Sequence, residues 1–147
     1  MYIENGGGYV GAHAAADTEH DWHWYTDVLF AGAEFIHHGD GIPHARVEIE
    51  QPHHHLMHHM GTEWFVADEW YFWKSNPRGV GNINVLANLD RSSYASNYPV
   101  EDHPIIFTNQ VGQGRMFYTA AGHVDANFTD PKMIEKFRKA IEWTSGL

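Results

Sequence analysis

A short apolar stretch opened by three glycines, residues 6–8, constrains the fold more than any other part of the sequence. Glycine carries no Cβ, so the backbone can turn there at little steric cost. Residues 9–12 then predict a short buried strand, and small side chains after it allow a sharp exit. His13 stands at this exit, with Asp17 and Glu19 behind it. Because ligands of open α/β sheets bind beyond the carboxyl ends of strands, His13 is a candidate site residue.

The length and the aromatic content limit the class of protein that this chain can be. At 147 residues the sequence is long enough to bury a core, and we expect a single domain over residues 1–147. Aromatic residues make up 14% of it and include six tryptophans. Large aromatic side chains suit sugar rings in a pocket and suit a core equally well, so composition leaves both uses open.

The charge and the cysteine count exclude several functions. The formal net charge of −10 disfavours nucleic acid and anionic membrane surfaces, which are bound through Lys and Arg. No apolar run is long enough to span a bilayer, and the first residues lack the features of a signal peptide, so we expect a cytoplasmic protein. The absence of cysteine excludes disulfides, thiolate metal sites and a cysteine nucleophile.

Histidine is over-represented, with 13 residues, and five of them lie in residues 53–59. If that segment is helical, His54 and His58, or His55 and His59, share a face. This spacing is half of a zinc-protease motif without its glutamate, so an adventitious nickel or zinc site is the better interpretation. A histidine-rich metal-binding protein centred on this run is therefore one functional hypothesis.

Hydrophobic periodicity predicts the main elements. A short helix is expected at residues 25–30 and a loop at 32–41. Strands are expected at residues 45–50, 63–67, 84–89, 105–110 and 115–120, the last two forming a hairpin. Asp130 followed by Pro131 marks a helix start, with apolar residues at helical spacing to Trp143 and Gly146 just past the end.

Polar side chains follow three of the predicted strands. His13 comes after the first, Asp68 and Glu69 after a later one, and His123 after the last. In a mostly parallel sheet the carboxyl ends converge on one edge, so His13, Glu69 and His123 could meet in one pocket. Histidine with carboxylate suits a divalent-metal site and equally suits acid–base catalysis. The alternative is that these groups cap turns and bond to loops.

These segments together resemble the ThuA-like (trehalose utilisation) family. Each motif is short, but they occur in the family's order over nearly the whole chain. The motifs, as they stand in this sequence, are Gly6-Gly7-Gly8-Tyr9-Val10-Gly11-Ala12-His13, Ala15-Ala16-Asp17-Thr18, Phe35-Ile36-His37-His38, Asp68-Glu69-Trp70-Tyr71, Asn76-Pro77-Arg78, Asp102-His103-Pro104-Ile105, Gly114-Arg115-Met116-Phe117-Tyr118-Thr119, Gly122-His123 and Ile141-Glu142-Trp143.

The resemblance implies an α/β fold, a flavodoxin-like three-layer sandwich with a mostly parallel sheet, related to class I glutamine amidotransferases. In those relatives a nucleophilic cysteine occupies the exit of the first strand, where this chain has His13, so thiol chemistry is excluded. The family is associated with sugar catabolism. The polar residues that carry over are His13, His38, His54, Asp68, Glu69, His103 and His123, with His54 the weakest match because His55 replaces the family's proline.

The front of the chain departs from the family pattern. Family members begin with a strand, a helix and another strand before the glycine run, and this unit is missing here. We therefore expect an amino-terminally truncated sheet, with the strand near Tyr9 partly unpaired. Because open strand edges invite pairing, a homo-oligomer or a partner that completes the sheet is expected.

The functional prediction is a domain of sugar utilisation that binds or processes a small carbohydrate, with a divalent metal, zinc first, as the expected cofactor. The expected catalytic residues are His13, Glu69 and His123. The expected substrate-binding residues are His38, Asp68, Trp70, Tyr71, Asp102 and His103, and the expected metal ligands are His13, His103 and His123. The alternative is a non-catalytic module that binds sugar through Trp22, Trp24, Trp70 and Trp73.

Overall fold

The computed structural model describes residues 1–98 and 100–147. Its strands are β1 Gly8–Ala12, β2 Phe35–His38, β3 His44–Ile49, β4 Glu63–Ala67, β5 Tyr71–Trp73, β6 Asn84–Leu89, β7 Pro104–Val111 and β8 Gly114–Thr119. The helix α1 spans Pro131–Ser145, a π-helix spans Trp24–Leu29, and short 3₁₀ helices span His13–Ala16, Arg91–Ser93 and Asp125–Thr129. The predicted strands, the hairpin and the last helix are confirmed. The expected loop at 32–41 is wrong in part, because it contains β2.

Six strands form a mixed sheet in the order β1-β8-β7-β6-β3-β4, and β2 pairs with β5 in a separate ribbon. Among the described strands only β1 and β8 are parallel neighbours, so the prediction of a mostly parallel sheet is wrong. For β7 and β8 the physical reason is the short connection between them. Parallel neighbours need a long crossover, whereas β7 and β8 are joined by a tight turn at Gly112 and Gln113.

The direction of the strands still places three carboxyl ends at one rim. Alternating pairings from β8 to β4 leave β1, β8 and β4 running the same way. In a flat sheet β4 would lie about 19 Å from β8, at about 4.8 Å per strand. The Gly122 N–H, beyond β8, nevertheless donates to the Asp68 carboxylate, beyond β4, at 2.7 Å. The sheet therefore curls into a half-barrel that brings its two sides together.

Helix α1 lies inside this curl. Asp130 caps it by accepting from the Lys132 N–H at 2.8 Å, and Gly146 ends it in the left-handed conformation. Its buried face consists of Met133, Lys136, Ala140 and Thr144. The sequence predicts an apolar face from the helical spacing of its apolar residues. Two of these, Ile134 and Ile141, are exposed, so the buried face is rotated away from the predicted one. At Gly8 a Cβ would lie 2.6 Å from the Thr144 carbonyl oxygen, so glycine is needed where β1 meets the helix.

The opposite face of the sheet is covered by the π-helix and the β2–β5 ribbon. The Asn109 amide of β7 donates to the carbonyl oxygens of Val28 and Leu29, which anchors the π-helix at the predicted position. Trp73 of β5 packs edge-on against Phe107 and Tyr118 of the sheet. None of the described helices has the length and apolar character required to cross a bilayer.

Candidate functional site

His13 follows β1 directly and starts a 3₁₀ turn with φ of 44°. For a residue with a Cβ the left-handed region costs about 1–2 kcal/mol, and such strain concentrates at functional sites. Two contacts hold His13 in this backbone conformation. The Tyr118 hydroxyl donates to the His13 carbonyl oxygen at 3.0 Å, and the ring nitrogen Nδ1 lies 2.9 Å from the carbonyl oxygen of Ala120.

The partners of the His13 ring fix its tautomer. A carbonyl oxygen only accepts, so Nδ1 carries the proton that it donates to Ala120. Nε2 lies 3.1 Å from the Oε2 atom of Glu69. In the neutral ring Nε2 presents a lone pair to a carboxylate, which is repulsive. A proton shared between the two groups, or a cation that both bind, removes this repulsion.

Glu69 is the centre of a histidine cluster. Its side chain is 18% exposed, and its Oε2 atom lies 3.6 Å from Nδ1 of His123 as well as beside His13. Its other oxygen lies 3.3 Å from Nδ1 of His38, on the β2–β5 ribbon. We name His13, Glu69 and His123 the Glu69 cluster. Its members come from separate strand exits, as the sequence predicted.

Asp68 joins the exits of β4 and β8 through hydrogen bonds, and we call it the clamp of the site. Its fully buried carboxylate accepts from the backbone N–H groups of Glu69 at 2.9 Å, Gly122 at 2.7 Å and His123 at 3.0 Å. The side-chain amide of Asn127 donates to it at 3.0 Å. Both oxygens are thus engaged within the protein. Asp68 orients Glu69 and His123 and has little capacity left for the substrate role that we predicted.

Tyr71 forms the floor under His13. Its ring lies 4.0 Å from the His13 ring, centroid to centroid, and 4.4 Å from that of Phe35. Burial, together with the nearby carboxylates of Asp17 and Glu69, raises the pKa of Tyr71 to about 12. The phenol therefore stays protonated at neutral pH and is a hydrogen-bond donor next to the cluster.

The Glu69 cluster has the donor set of a catalytic metal site. One nitrogen or oxygen from each member lies within 4.8 Å of the others, and in the part of the chain that the structure describes this is the one such group of three. Two imidazoles and a carboxylate are ligands that zinc accepts, and a site with three protein ligands leaves a position open. The bond from Nδ1 of His13 to a carbonyl is the usual outer support of a metal-binding histidine.

Comparison with known families decides what the chain is. The family described as ThuA, trehalose utilisation, matches residues 1–144. The chain belongs to the ThuA family. Among curated proteins none matches it.

Solved structures give the same answer for the fold. The ThuA chain is similar to a ThuA-like protein of Bacteroides uniformis, at 27% identity and a TM-score of 0.79, over 97% of this chain and 60% of that one. A ThuA-like protein of Parabacteroides merdae shares 22% identity with a TM-score of 0.74, over 98% and 62%. A cytoplasmic protein of Salmonella typhimurium shares 12% identity with a TM-score of 0.57, over 97% and 57%. The chain thus spans about three-fifths of the length of these proteins.

The side chains of three predicted site residues, Trp70, Asp102 and His103, bind partners outside the Glu69 cluster. Trp70 is buried, and its indole donates to the Pro43 carbonyl oxygen at 3.2 Å, so its ring is not free to stack on a sugar. Asp102 binds Arg78 at 2.8 Å. Burial alone would raise the pKa of Asp102, but the hydrogen bonds from Arg78 and Asn76 outweigh it and lower the pKa.

His103 is a buried structural residue rather than a neighbour of His13. Its Nε2 donates to the carbonyl oxygen of Tyr71 at 2.7 Å, and its Nδ1 accepts from the hydroxyl of Tyr94 at 2.9 Å. Burial lowers the pKa of His103 to about 4, so the ring is neutral. With both nitrogens engaged, His103 supports the ribbon that carries Tyr71, and the structure does not bring it to the predicted metal site.

The histidine run at 53–59 does not converge either. The rings of His54 and His55 stack at 4.4 Å, and Nε2 of His59 donates to the Lys132 carbonyl oxygen at 3.2 Å. Within the described residues no three of its side chains form a metal-binding group. The run packs beside α1 instead.

Sequence reasoning missed Asn127 and Tyr118, which hold the cluster in place. Asn127 donates to Asp68 and also to the Ala67 carbonyl oxygen at 2.8 Å. Its spacing four residues after His123 is the signal that was available, because a short turn at that spacing returns the amide to the strand exit. Tyr118 lies in a predicted strand, and nothing in the strand pattern indicates that its hydroxyl binds the His13 carbonyl oxygen.

Proposed function

We propose that this ThuA chain binds a carbohydrate at the Glu69 cluster and processes it by proton transfer, in the general role of sugar utilisation. The observation that supports this most is the meeting of His13, Glu69 and His123 from three strand exits, with His13 held in a strained backbone conformation. Groups that are assembled at such a cost to the backbone suit chemistry better than packing. The prediction that the fold is flavodoxin-like is part of this proposal.

The same cluster is proposed to hold a divalent cation, zinc first. Zinc bonds of about 2.0–2.2 Å in a tetrahedron keep neighbouring ligand atoms about 3.3 Å apart. The Glu69 oxygen Oε2 lies 3.1 Å from the His13 nitrogen and 3.6 Å from the His123 nitrogen, which supports the fit. When bound, such an ion supplies Lewis-acid polarisation of a sugar carbonyl or hydroxyl oxygen.

The side chains near the cluster are proposed to transfer the proton and to bind the sugar. In a site without a cation His123, which is about half exposed, can accept a proton from a sugar hydroxyl, or from a sugar carbon next to a carbonyl, as general base, a role that His13 could share. The protonated histidine returns that proton to the sugar either directly or through Glu69, which lies beside both histidines and otherwise binds the cation. The Tyr71 phenol, protonated at neutral pH, donates a hydrogen bond to a sugar oxygen. His38 can bind a sugar hydroxyl from the ribbon.

A non-catalytic sugar-binding module is the second candidate, and one observation favours it. Trp22 is 46% exposed, and its ring stacks on Tyr25 at 6.0 Å and lies 5.2 Å from that of Trp24. An exposed aromatic face of this kind suits the apolar face of a sugar ring. Tyr25 bonds to the Ala15 carbonyl oxygen, so this platform adjoins the turn that carries His13.

Paired variants separate the two functions. His123→Ala should abolish turnover of a keto-disaccharide while the protein stays folded and still binds sugar, because His123 is a partly exposed base. Trp22→Ala should weaken sugar binding and spare proton transfer. Binding is measured by calorimetry and turnover by proton exchange of the sugar in deuterated water. Proton exchange that survives in His123→Ala would remove His123 as the base. Sugar binding without proton exchange in the wild type would remove the enzymatic proposal and leave the module.

A second copy or another strand is proposed to complete the sheet at β1. This strand is at the edge of the six-stranded sheet, with β8 as its neighbour on one side. Open edges of this kind invite pairing. Light scattering coupled to size exclusion should give a dimer or larger species for the chain as it stands. A stable monomer at micromolar concentration would contradict this proposal.

A further inference from the structure

Lys136 is a buried charged residue for which the proposed function has no use. It lies on the inner face of α1 with no exposed surface, and its ammonium donates to the Thr119 hydroxyl at 2.9 Å. The Nζ atom lies 4.7 Å from the centre of the Trp64 ring of β4 and 5.8 Å from that of Phe137. Lys136 therefore stands between β4 and β8, directly behind the strand exits that form the site.

The charges that act on Lys136 come from two carboxylates. Asp68 follows β4 and Asp130 caps α1, and both stabilise the protonated amine, against the effect of burial. Among the described residues neither forms an ion pair with Nζ within 4.0 Å. Lys136 thus acts on Asp68 through the field of its charge and not through a direct bond.

Asp68 needs such a counter-charge. Its carboxylate is fully buried, and a buried anion is stable only when hydrogen bonds and positive charge compensate the lost hydration. The N–H groups of Glu69 and His123 supply hydrogen bonds, and Lys136 supplies the charge. We propose that Lys136 is a positioning residue, whose ammonium balances the Asp68 carboxylate that orients Glu69 and His123.

This inference rests on the proposed function only for its consequence at the cluster. Burial lowers the pKa of Lys136 to about 7, so the positive charge behind the site is lost as the pH rises through neutrality. The uncompensated carboxylate of Asp68 then makes the cluster more negative. A cation at the Glu69 cluster should therefore bind more tightly once Lys136 is neutral.

Nuclear magnetic resonance tests the coupling without any metal. The Lys136 side chain and the amide groups of Glu69 and Gly122 are followed from pH 5.5 to 9.5 in the wild type. The amide signals should contain a component that follows the Lys136 titration. Lys136→Met should remove that component, and Lys139→Met, from the same helix, should keep it. Unchanged amide titration in Lys136→Met would overturn the inference.

Asp68→Asn tests the coupling in the other direction. Removing the negative charge should lower the titration midpoint of Lys136 by about one pH unit, in line with the effect of a nearby opposite charge. A Lys136 midpoint that does not move would overturn the inference. If Asp68→Asn does not fold, the comparison of the two lysine variants still decides the matter.

Zinc titration then tests the consequence. Lys136→Met should bind zinc several-fold more tightly than the wild type at pH 6, and the ratio should approach one at pH 9. An equal ratio at both pH values would overturn the effect on cation affinity. If the wild type binds no zinc, the metal part of the proposed function fails, and the resonance measurements still judge Lys136 separately.

Discussion

Lys136→Met should change the pH dependence of stability more than its absolute value. The folded protein holds Lys136 with a pKa of about 7, whereas an ordinary lysine, as in the unfolded chain, has a pKa of 10.5. Between these values the unfolded chain binds a proton that the folded chain does not, so the wild type gains stability as the pH rises. Below pH 7 both states are protonated, and the cost of burying the charge is present in full.

The size of the effect follows from that difference. Each pH unit in this window changes the free energy of unfolding by about 1.4 kcal/mol for one group. From pH 6 to pH 9 the wild type should gain about 3 kcal/mol that the Met variant does not gain. The loss of the bond to Thr119 and of the contact with Trp64 shifts the whole curve and leaves this slope difference intact.

Urea unfolding at intervals between pH 6 and 9 measures the slope. The free energy of unfolding of the wild type minus that of Lys136→Met should rise by about 3 kcal/mol from pH 6 to pH 9, whatever constant offset the lost contacts add. Lys139→Met, taken from the same helix, shows whether the slope belongs to position 136. A difference between wild type and Lys136→Met that stays constant to within about 1 kcal/mol, one-third of the predicted change, would refute the reasoning.

Two further substitutions probe the supports of the site and of the fold. Asp68→Asn should destabilise the protein by about 3 kcal/mol or more, since an amide cannot accept from all the N–H groups that the carboxylate binds, and each bond to a charged group contributes about 1.5–3 kcal/mol. Thermal unfolding measures this, and a loss below about 1 kcal/mol would show that Asp68 is not the clamp. Gly8→Ala should cost about 1–3 kcal/mol, because its Cβ meets the Thr144 carbonyl at 2.6 Å. A neutral Gly8→Ala variant would mean that α1 moves away from β1 freely.

The cluster could be predicted from sequence even though the assumed sheet was wrong. His13 and His123 follow β1 and β8, which are parallel neighbours, so the rule for strand ends applied to them directly. Glu69 lies at the same rim for another reason. Strand β4 runs in the same direction after an even number of antiparallel reversals, and the curl of the sheet closes the remaining distance. Sequence patterns carry strand direction poorly and sheet curvature hardly at all.

The residues that sequence reasoning misplaced are those whose polar groups serve the interior. His103 and Asp102 stand beside a strand in a motif of polar residues, and a motif does not show which way a side chain points. His103 turns inward because the Tyr71 carbonyl and the Tyr94 hydroxyl satisfy both ring nitrogens. Lys136 was overlooked because a lysine on a helix normally faces water.

Metal analysis of the untagged protein tests the central claim most directly. Elemental analysis is run on the wild type and His13→Ala, with His123→Ala as a second variant in case the strained turn at His13 cannot be replaced. We expect near-stoichiometric zinc or another divalent metal in the wild type, lost in both variants because each removes a proposed ligand from the Glu69 cluster. No metal in the wild type, or metal that persists in folded variants, would contradict it.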